Sequence, residues 1–128
     1  MATIRYIVRD VDESIAFYRQ HFGFDEVMHP APTFAILKQG DLRLLLSAPG
    51  GPGGGGSAMP DGTQPEPGGW NRISLEVSDL DARVAALRKA AVQFRNEIVV
   101  GVGGRQILVK DPSENLIELF EPYSRDNS

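Results

Sequence analysis

The sequence predicts an α+β fold built from two copies of a strand-helix-strand-strand-strand unit. Three observations carry that expectation. The chain repeats itself at an offset of 69 positions. Each copy opens with an alternating apolar-polar run, followed by a short acidic turn and a helical pattern. A stretch dense in glycine and proline separates the copies. At 128 residues, 41% hydrophobic and 23% charged, the whole chain (residues 1–128) has the size and balance of one globular domain with a core of its own.

At that offset Ile4, Val8, Asp10, Asp12, Ala16 and Arg19 fall on Ile73, Val77, Asp79, Asp81, Ala85 and Arg88. Six identities in sixteen ungapped positions favour duplication over the chance likeness of two strand-turn-helix segments.

The first strand is expected at Thr3–Val8, with Ile4, Tyr6 and Val8 on one face. Asp10 or Asp12 is the candidate N-cap of the helix that follows. Ile15, Tyr18 and Phe22 form its apolar stripe, which should cover the strand, and Gly23 should end it. Three further strands are expected at Asp25–His29, Thr33–Gln39 and Leu42–Ser47, the last two joined by a tight turn at Gly40-Asp41. This first module occupies residues 1–48.

Residues 49–69 hold nine glycines and five prolines. Such a stretch lacks the apolar surface to order itself. It reads as a flexible linker, with a lid over the open sheet face as the alternative. It is not a phosphate loop, because no Gly-Lys-Ser/Thr follows. Gly101-Val102-Gly103-Gly104 also fails as a dinucleotide fingerprint, because no glycine stands at position 106 and no helix follows.

The second module, residues 70–124, repeats the order. Its strand is Arg72–Val77, with Asp79 or Asp81 as N-cap and Val84, Leu87 and Ala91 as the helix stripe. Strands follow at Gln93–Val100, Arg105–Lys110 and Leu116–Glu121. The last turn runs from Asp111 to Asn115, where Pro112 presets φ and Asn115 tolerates the left-handed region.

Side chains of alternate residues face opposite sides of a strand, so each helix-covered sheet has a second face. On the first strand it carries Thr3, Arg5 and Ile7, and on its twin Arg72, Ser74 and Glu76, preceded by Trp70. On Leu42–Ser47 it carries Arg43, Leu45 and Ser47, and on the last strand Leu116, Glu118 and Phe120. A solvated face would be more uniformly polar, and a packed core would not accept so many charges. A curved sheet forming a partly dry pocket with a few polar anchors fits this mixture. Phe34 and Trp70 are candidates to stack on a flat ligand.

Composition excludes several functions. The net charge of -4 and the lack of a basic stripe argue against nucleic acid and anionic membrane as partners. With no cysteine there is neither a disulfide framework nor a thiolate site. No leader pattern and no apolar run of membrane-spanning length is visible, which gives a cytoplasmic expectation. His21 near a helix end reads as a partner of the helix dipole, and His29 as a rim residue. No Ser/His/Asp or Cys/His set can be assembled.

Val8-Arg9-Asp10-Val11-Asp12-Glu13-Ser14-Ile15-Ala16-Phe17-Tyr18, then Phe22-Gly23-Phe24, then Asp111-Pro112-Ser113-Glu114-Asn115-Leu116-Ile117-Glu118-Leu119-Phe120-Glu121 resemble the vicinal oxygen chelate superfamily. Its members include glyoxalase, bleomycin-resistance proteins, fosfomycin-resistance enzymes, methylmalonyl-CoA epimerase and extradiol dioxygenases. The resemblance spans the chain outside the Gly/Pro-rich stretch. It implies two βαβββ modules making an eight-stranded curved sheet, or cup, usually within a homodimer.

In metal-binding relatives of the glyoxalase type, the resemblance puts ligands at Thr3, Leu45, Arg72 and Glu118. Divalent ions there need imidazole and carboxylate donors at about 2.0–2.2 Å. Leu45 donates nothing and Arg72 is a permanent cation, so the expectation is no metal and no cofactor. Arg72 either pairs with Glu118 or meets an anionic ligand group. The leading expectation is a metal-free binding protein of the sequestration or resistance type. Its small organic ligand would be held by Thr3, Arg5, Phe34, Arg43, Leu45, Trp70, Arg72, Ser74, Glu76, Glu118 and Phe120. The rival is a metal-independent lyase or isomerase with Glu118 or Glu76 as general base. A metal-dependent glyoxalase or dioxygenase comes third.

Overall fold

A computed structural model describes residues 1–51 and 55–123. The chain divides into two compact units. The first comprises Met1–Gly68 with Pro112–Asn115, and the second comprises Gly69–Asp111 with the chain from Leu116 onward.

The first unit contains β1 (Ala2–Ile7), α1 (Val11–Phe22), β2 (Asp25–Ala31), β3 (Phe34–Gln39) and β4 (Leu42–Ser47). Its sheet has the order β1-β4-β3-β2, with β1 parallel to β4 and the other pairs antiparallel. Asp10 is the N-cap, its side chain accepting from Glu13 N at 3.0 Å. Gly23, at φ 69°, ends the helix as expected, in a conformation that costs glycine nothing. Ile15, Tyr18 and Phe22 are buried with Tyr6, Val8, Leu44 and Leu46. The fully buried Tyr18 meets Phe24 edge-on at 5.5 Å and Tyr6 at 6.5 Å. Each such pair adds about 0.5–1.5 kcal/mol beyond its area burial.

The second unit contains β5 (Arg72–Glu76), α2 (Leu80–Lys89), β6 (Val99–Val100), β7 (Gly104–Lys110) and β8 (Leu116–Pro122). Its order β5-β8-β7-β6, with β5 parallel to β8, repeats that of the first sheet. Asp79 caps α2 by accepting from Ala82 N at 3.0 Å. Leu80, Val84 and Leu87 are buried with Ile73, Ile107, Ile117 and Leu119. Arg105 ties the start of α2 to β8, donating to Asp81 at 2.9 Å and to Glu121 at 2.7 Å. The hydrogen bond from Arg105, and then its charge, hold the Asp81 carboxyl below its ordinary pKa.

Two βαβββ modules of α+β class are therefore present, their strands shared between two four-stranded mixed sheets that do not close. Three local expectations need correction. The strand expected at Gln93–Val100 is confined to Val99–Val100, with one isolated bridge from Phe94 to Val109. Ala91 lies beyond the end of α2 at φ 64° and is exposed, so Leu80 completes the stripe instead. In the last turn the left-handed residue is Glu114, at φ 67°, rather than Asn115.

The described part of the Gly/Pro-rich stretch makes its own hydrogen bonds. Gly50 N donates to Gly56 O at 2.7 Å, Met59 N to Thr63 O at 2.7 Å, and Thr63 N to the Asp61 side chain at 2.9 Å. These backbone bonds supply order that apolar burial alone would not.

Candidate functional site

The face of the first sheet turned away from α1 is set by alternation along β1, β4 and β3. Thr3 stands beside Arg43, Arg5 beside Leu45, and Phe34 beside Ser47. Gly51, Gly55 and Gly56, beyond β4, lie against this face. Gly51 lies against the Thr33 side chain, where a Cβ would collide with it. A Cβ on Gly55 would stand 2.7 Å from Ser47 Oγ and 2.8 Å from Arg5 Nε. Only glycine allows so close an approach.

The result is a cleft of about 340 Å³ lined by Arg5, Thr33, Phe34, Ser47, Ala31, Gly51 and Gly55, among others. That volume lies at the lower end of small-molecule sites. Thr33 Oγ1 and Ser47 Oγ are buried and have no hydrogen-bond partner among the described residues. Arg43 Nε, on the same sheet face, is in the same condition.

The second sheet gathers a polar cluster on its corresponding face. Arg72 Nε and Nη2 donate to Glu118 Oε1 at 3.1 and 3.0 Å. Ser74 Oγ, on the strand position beside Glu118, donates to Oε2 at 3.1 Å. Arg72 Nη1 donates to Trp70 O at 3.3 Å. Trp70 precedes β5 and is 62% exposed, with the Arg95 guanidinium 4.5 Å from its ring centroid. Glu76 is exposed, and Phe120 is half-buried beside it in the ladder. Of the two histidines, His21 sits against the Phe17 ring at 5.1 Å, and burial pushes its pKa below the ordinary value. His29 Nε2 is buried without a hydrogen bond among the described residues, 3.7 Å from Asp12 Oδ1.

The Glyoxalase/Bleomycin resistance protein/Dioxygenase superfamily description matches residues 1–119. The chain belongs to that superfamily. Among solved structures it is similar to an antibiotic-binding protein, TnmS3, from Streptomyces sp. CB03234, at 25% identity and a TM-score of 0.71, covering 94% of this chain and 93% of that one. A superfamily member from Sphaerobacter thermophilus DSM 20745 matches at 25% identity and a TM-score of 0.74, with 94% and 95% covered. A lactoylglutathione lyase from Agrobacterium tumefaciens, at 20% identity and a TM-score of 0.72 over 94% and 92%, shares the fold. No curated protein matches the chain.

Many glyoxalase-superfamily members hold a divalent ion, and the residues here do not suit one. Among the described residues no three His, Cys, Asp or Glu side chains stand close enough to hold a metal. Both oxygens of Glu118 already accept hydrogen bonds, and the group nearest them is the Arg72 cation. Thr3 and Leu45 offer one hydroxyl and no carboxylate or imidazole to the first sheet.

Sequence reasoning placed Thr3, Arg5, Arg43, Leu45, Arg72, Ser74, Glu76 and Glu118 on the sheet faces where they stand. It passed over Thr33, which lines the cleft from the turn before β3, and Arg95, which covers Trp70 from an irregular segment. The Gly-rich composition marked close backbone approach only in general terms. Nothing in it pointed to Gly51 and Gly55 in particular.

Proposed function

We propose that this chain is a small-molecule-binding member of the glyoxalase and bleomycin-resistance superfamily, of the sequestration or resistance type, working without a metal ion. The observation that carries the reading is Glu118. The one carboxylate left from the family's ligand positions is engaged on both oxygens by Arg72 and Ser74. A carboxylate so engaged is poorly placed to coordinate an ion or to accept a proton from a substrate. The first-sheet cleft supplies a binding volume, and the 25% identical TnmS3, described as an antibiotic-binding protein, supports the same class. Assembly as a homodimer and a cytoplasmic location complete the reading, the former from the family resemblance.

A thermal-shift screen against antibiotics and metabolites, followed by calorimetry on each hit, tests it. The expected outcome is a ligand that binds stoichiometrically and is recovered unchanged, with substoichiometric metal in protein purified without chelators. Light scattering should give about twice the 14.0 kDa chain mass. Stoichiometric divalent metal would overturn the metal-free reading. Turnover of a hit that disappears in Glu118→Gln would replace binding by catalysis.

A further inference from the structure

We propose that the first-sheet cleft takes an aromatic anion, its oxygen-bearing head at Arg5, Thr33 and Ser47 and its ring against Phe34. This rests on the binding reading above and names the chemical class of ligand. Arg5 is exposed, and its side chain makes no ion pair or hydrogen bond among the described residues. Its forked donors suit a carboxylate, sulfonate or phosphate. The Gly55 backbone lies close against this guanidinium and the Ser47 hydroxyl together, and all three residues line the cleft.

Thr33 Oγ1 and Ser47 Oγ are buried with no hydrogen-bond partner among the described residues. Buried hydroxyls are destabilising in that state, and a ligand oxygen accepting from them removes the penalty. The sign of the charge is equally specific. Although the chain carries a net charge of -4, this sheet face presents Arg5, Arg43 and Lys38, and its only register-paired acid is Asp25 on the edge strand. Lys38 stands directly beside Arg43 in the ladder, at the end of the sheet away from the cleft, and adds to the positive character of the face without touching the ligand site. Phe34, Ala31 and Pro30 furnish the apolar wall, and about 340 Å³ accommodates one or two fused rings with a charged substituent.

Two fluorescent probes with the same aromatic skeleton separate charge from ring. These are 8-anilinonaphthalene-1-sulfonate and its uncharged counterpart N-phenyl-1-naphthylamine. The sulfonate should bind the full chain at one site. Arg5→Gln should weaken it by at least about tenfold, as loss of a hydrogen-bonded charge does, and leave the neutral probe within about twofold. Arg5→Lys should recover part of the loss. Phe34→Ala should weaken both probes. Thr33→Val and Ser47→Ala should weaken the sulfonate while leaving the melting temperature unchanged or raised. A residue needed only for folding would lower it.

If the neutral probe binds as well as the sulfonate, and Arg5→Gln affects neither, the anion assignment is overturned while the binding reading survives. If both probes bind but ignore Phe34→Ala, the placement of the ring against Phe34 is overturned while the binding reading survives. If neither probe binds, the cleft assignment is overturned. The library screen then decides the binding reading separately.

Discussion

Arg72 determines what the polar face of the second sheet can do. A cation at this strand position, one residue pair away from Glu118, turns a carboxylate that could have faced a ligand into half of an ion pair. The side chains are 28% and 15% exposed, so the pair is neither a screened surface contact nor a fully dehydrated one. Removing one partner should therefore cost more than replacing both. A double-mutant cycle of Arg72→Met and Glu118→Gln should return a coupling of about 1–3 kcal/mol by urea denaturation. Coupling under about 0.5 kcal/mol would mean that the two groups act independently. Residue types at these positions were readable from sequence, because alternation puts Arg72, Ser74 and Glu118 on one face. The choice between pairing with Glu118 and waiting for a ligand was not readable, because it turns on rotamers that no periodicity specifies.

At the scale of elements, the two modules differ most where their helices end. In α1 the left-handed residue is Gly23; in α2 it is Ala91, at φ 64°. The hydrogen bonds Val92 N to Leu87 O and Ala91 N to Arg88 O, both at 3.0 Å, are those of a glycine-type helix stop. An alanine there bears the steric penalty of the left-handed region, about 1–2 kcal/mol. Ala91→Gly should accordingly stabilise the protein by about 0.5–1 kcal/mol after the entropy that glycine loses on folding. A raised urea midpoint with an unchanged m-value checks this. A lowered midpoint would mean that the alanine methyl makes contacts worth more than its strain. The strands and caps were legible because period-2 alternation and Asp10 and Asp79 are local signals. The stretch after α2 was not. Asn96 Oδ1 takes the Leu108 N–H at 2.9 Å, where a continuing strand would have offered a backbone carbonyl. A side chain that competes with the ladder leaves its residue type in the sequence, but not its partner.

At the scale of the molecule, the chain path matters more than either sheet. The first unit is completed by Pro112–Asn115, a segment that the chain delivers after most of the second unit has been traced. Asn115 is 4% exposed and bonds at both ends of its amide. Nδ2 donates to Ile7 O at 2.8 Å, and Oδ1 accepts from Gly68 N at 2.8 Å. Nearby, Arg9 N donates to Ser113 Oγ at 2.8 Å. From sequence the Asp111–Asn115 motif was a turn, with Asn115 chosen for backbone tolerance. Its actual role joins residues more than a hundred positions apart, which no local pattern encodes. Asn115→Ala should cost about 1–3 kcal/mol, since it leaves the Ile7 carbonyl and the Gly68 N–H without a partner. Asn115→Asp should be worse at neutral pH. It keeps an acceptor for Gly68 but turns a negative oxygen toward the Ile7 carbonyl. Acidification that protonates the new carboxyl restores a donor, so the deficit of the Asp variant relative to wild type should narrow as pH falls, while that of the Ala variant stays level. Urea denaturation of the three proteins across pH measures both trends. Parallel curves would mean that this side chain holds the turn by shape, and not by its paired donor and acceptor.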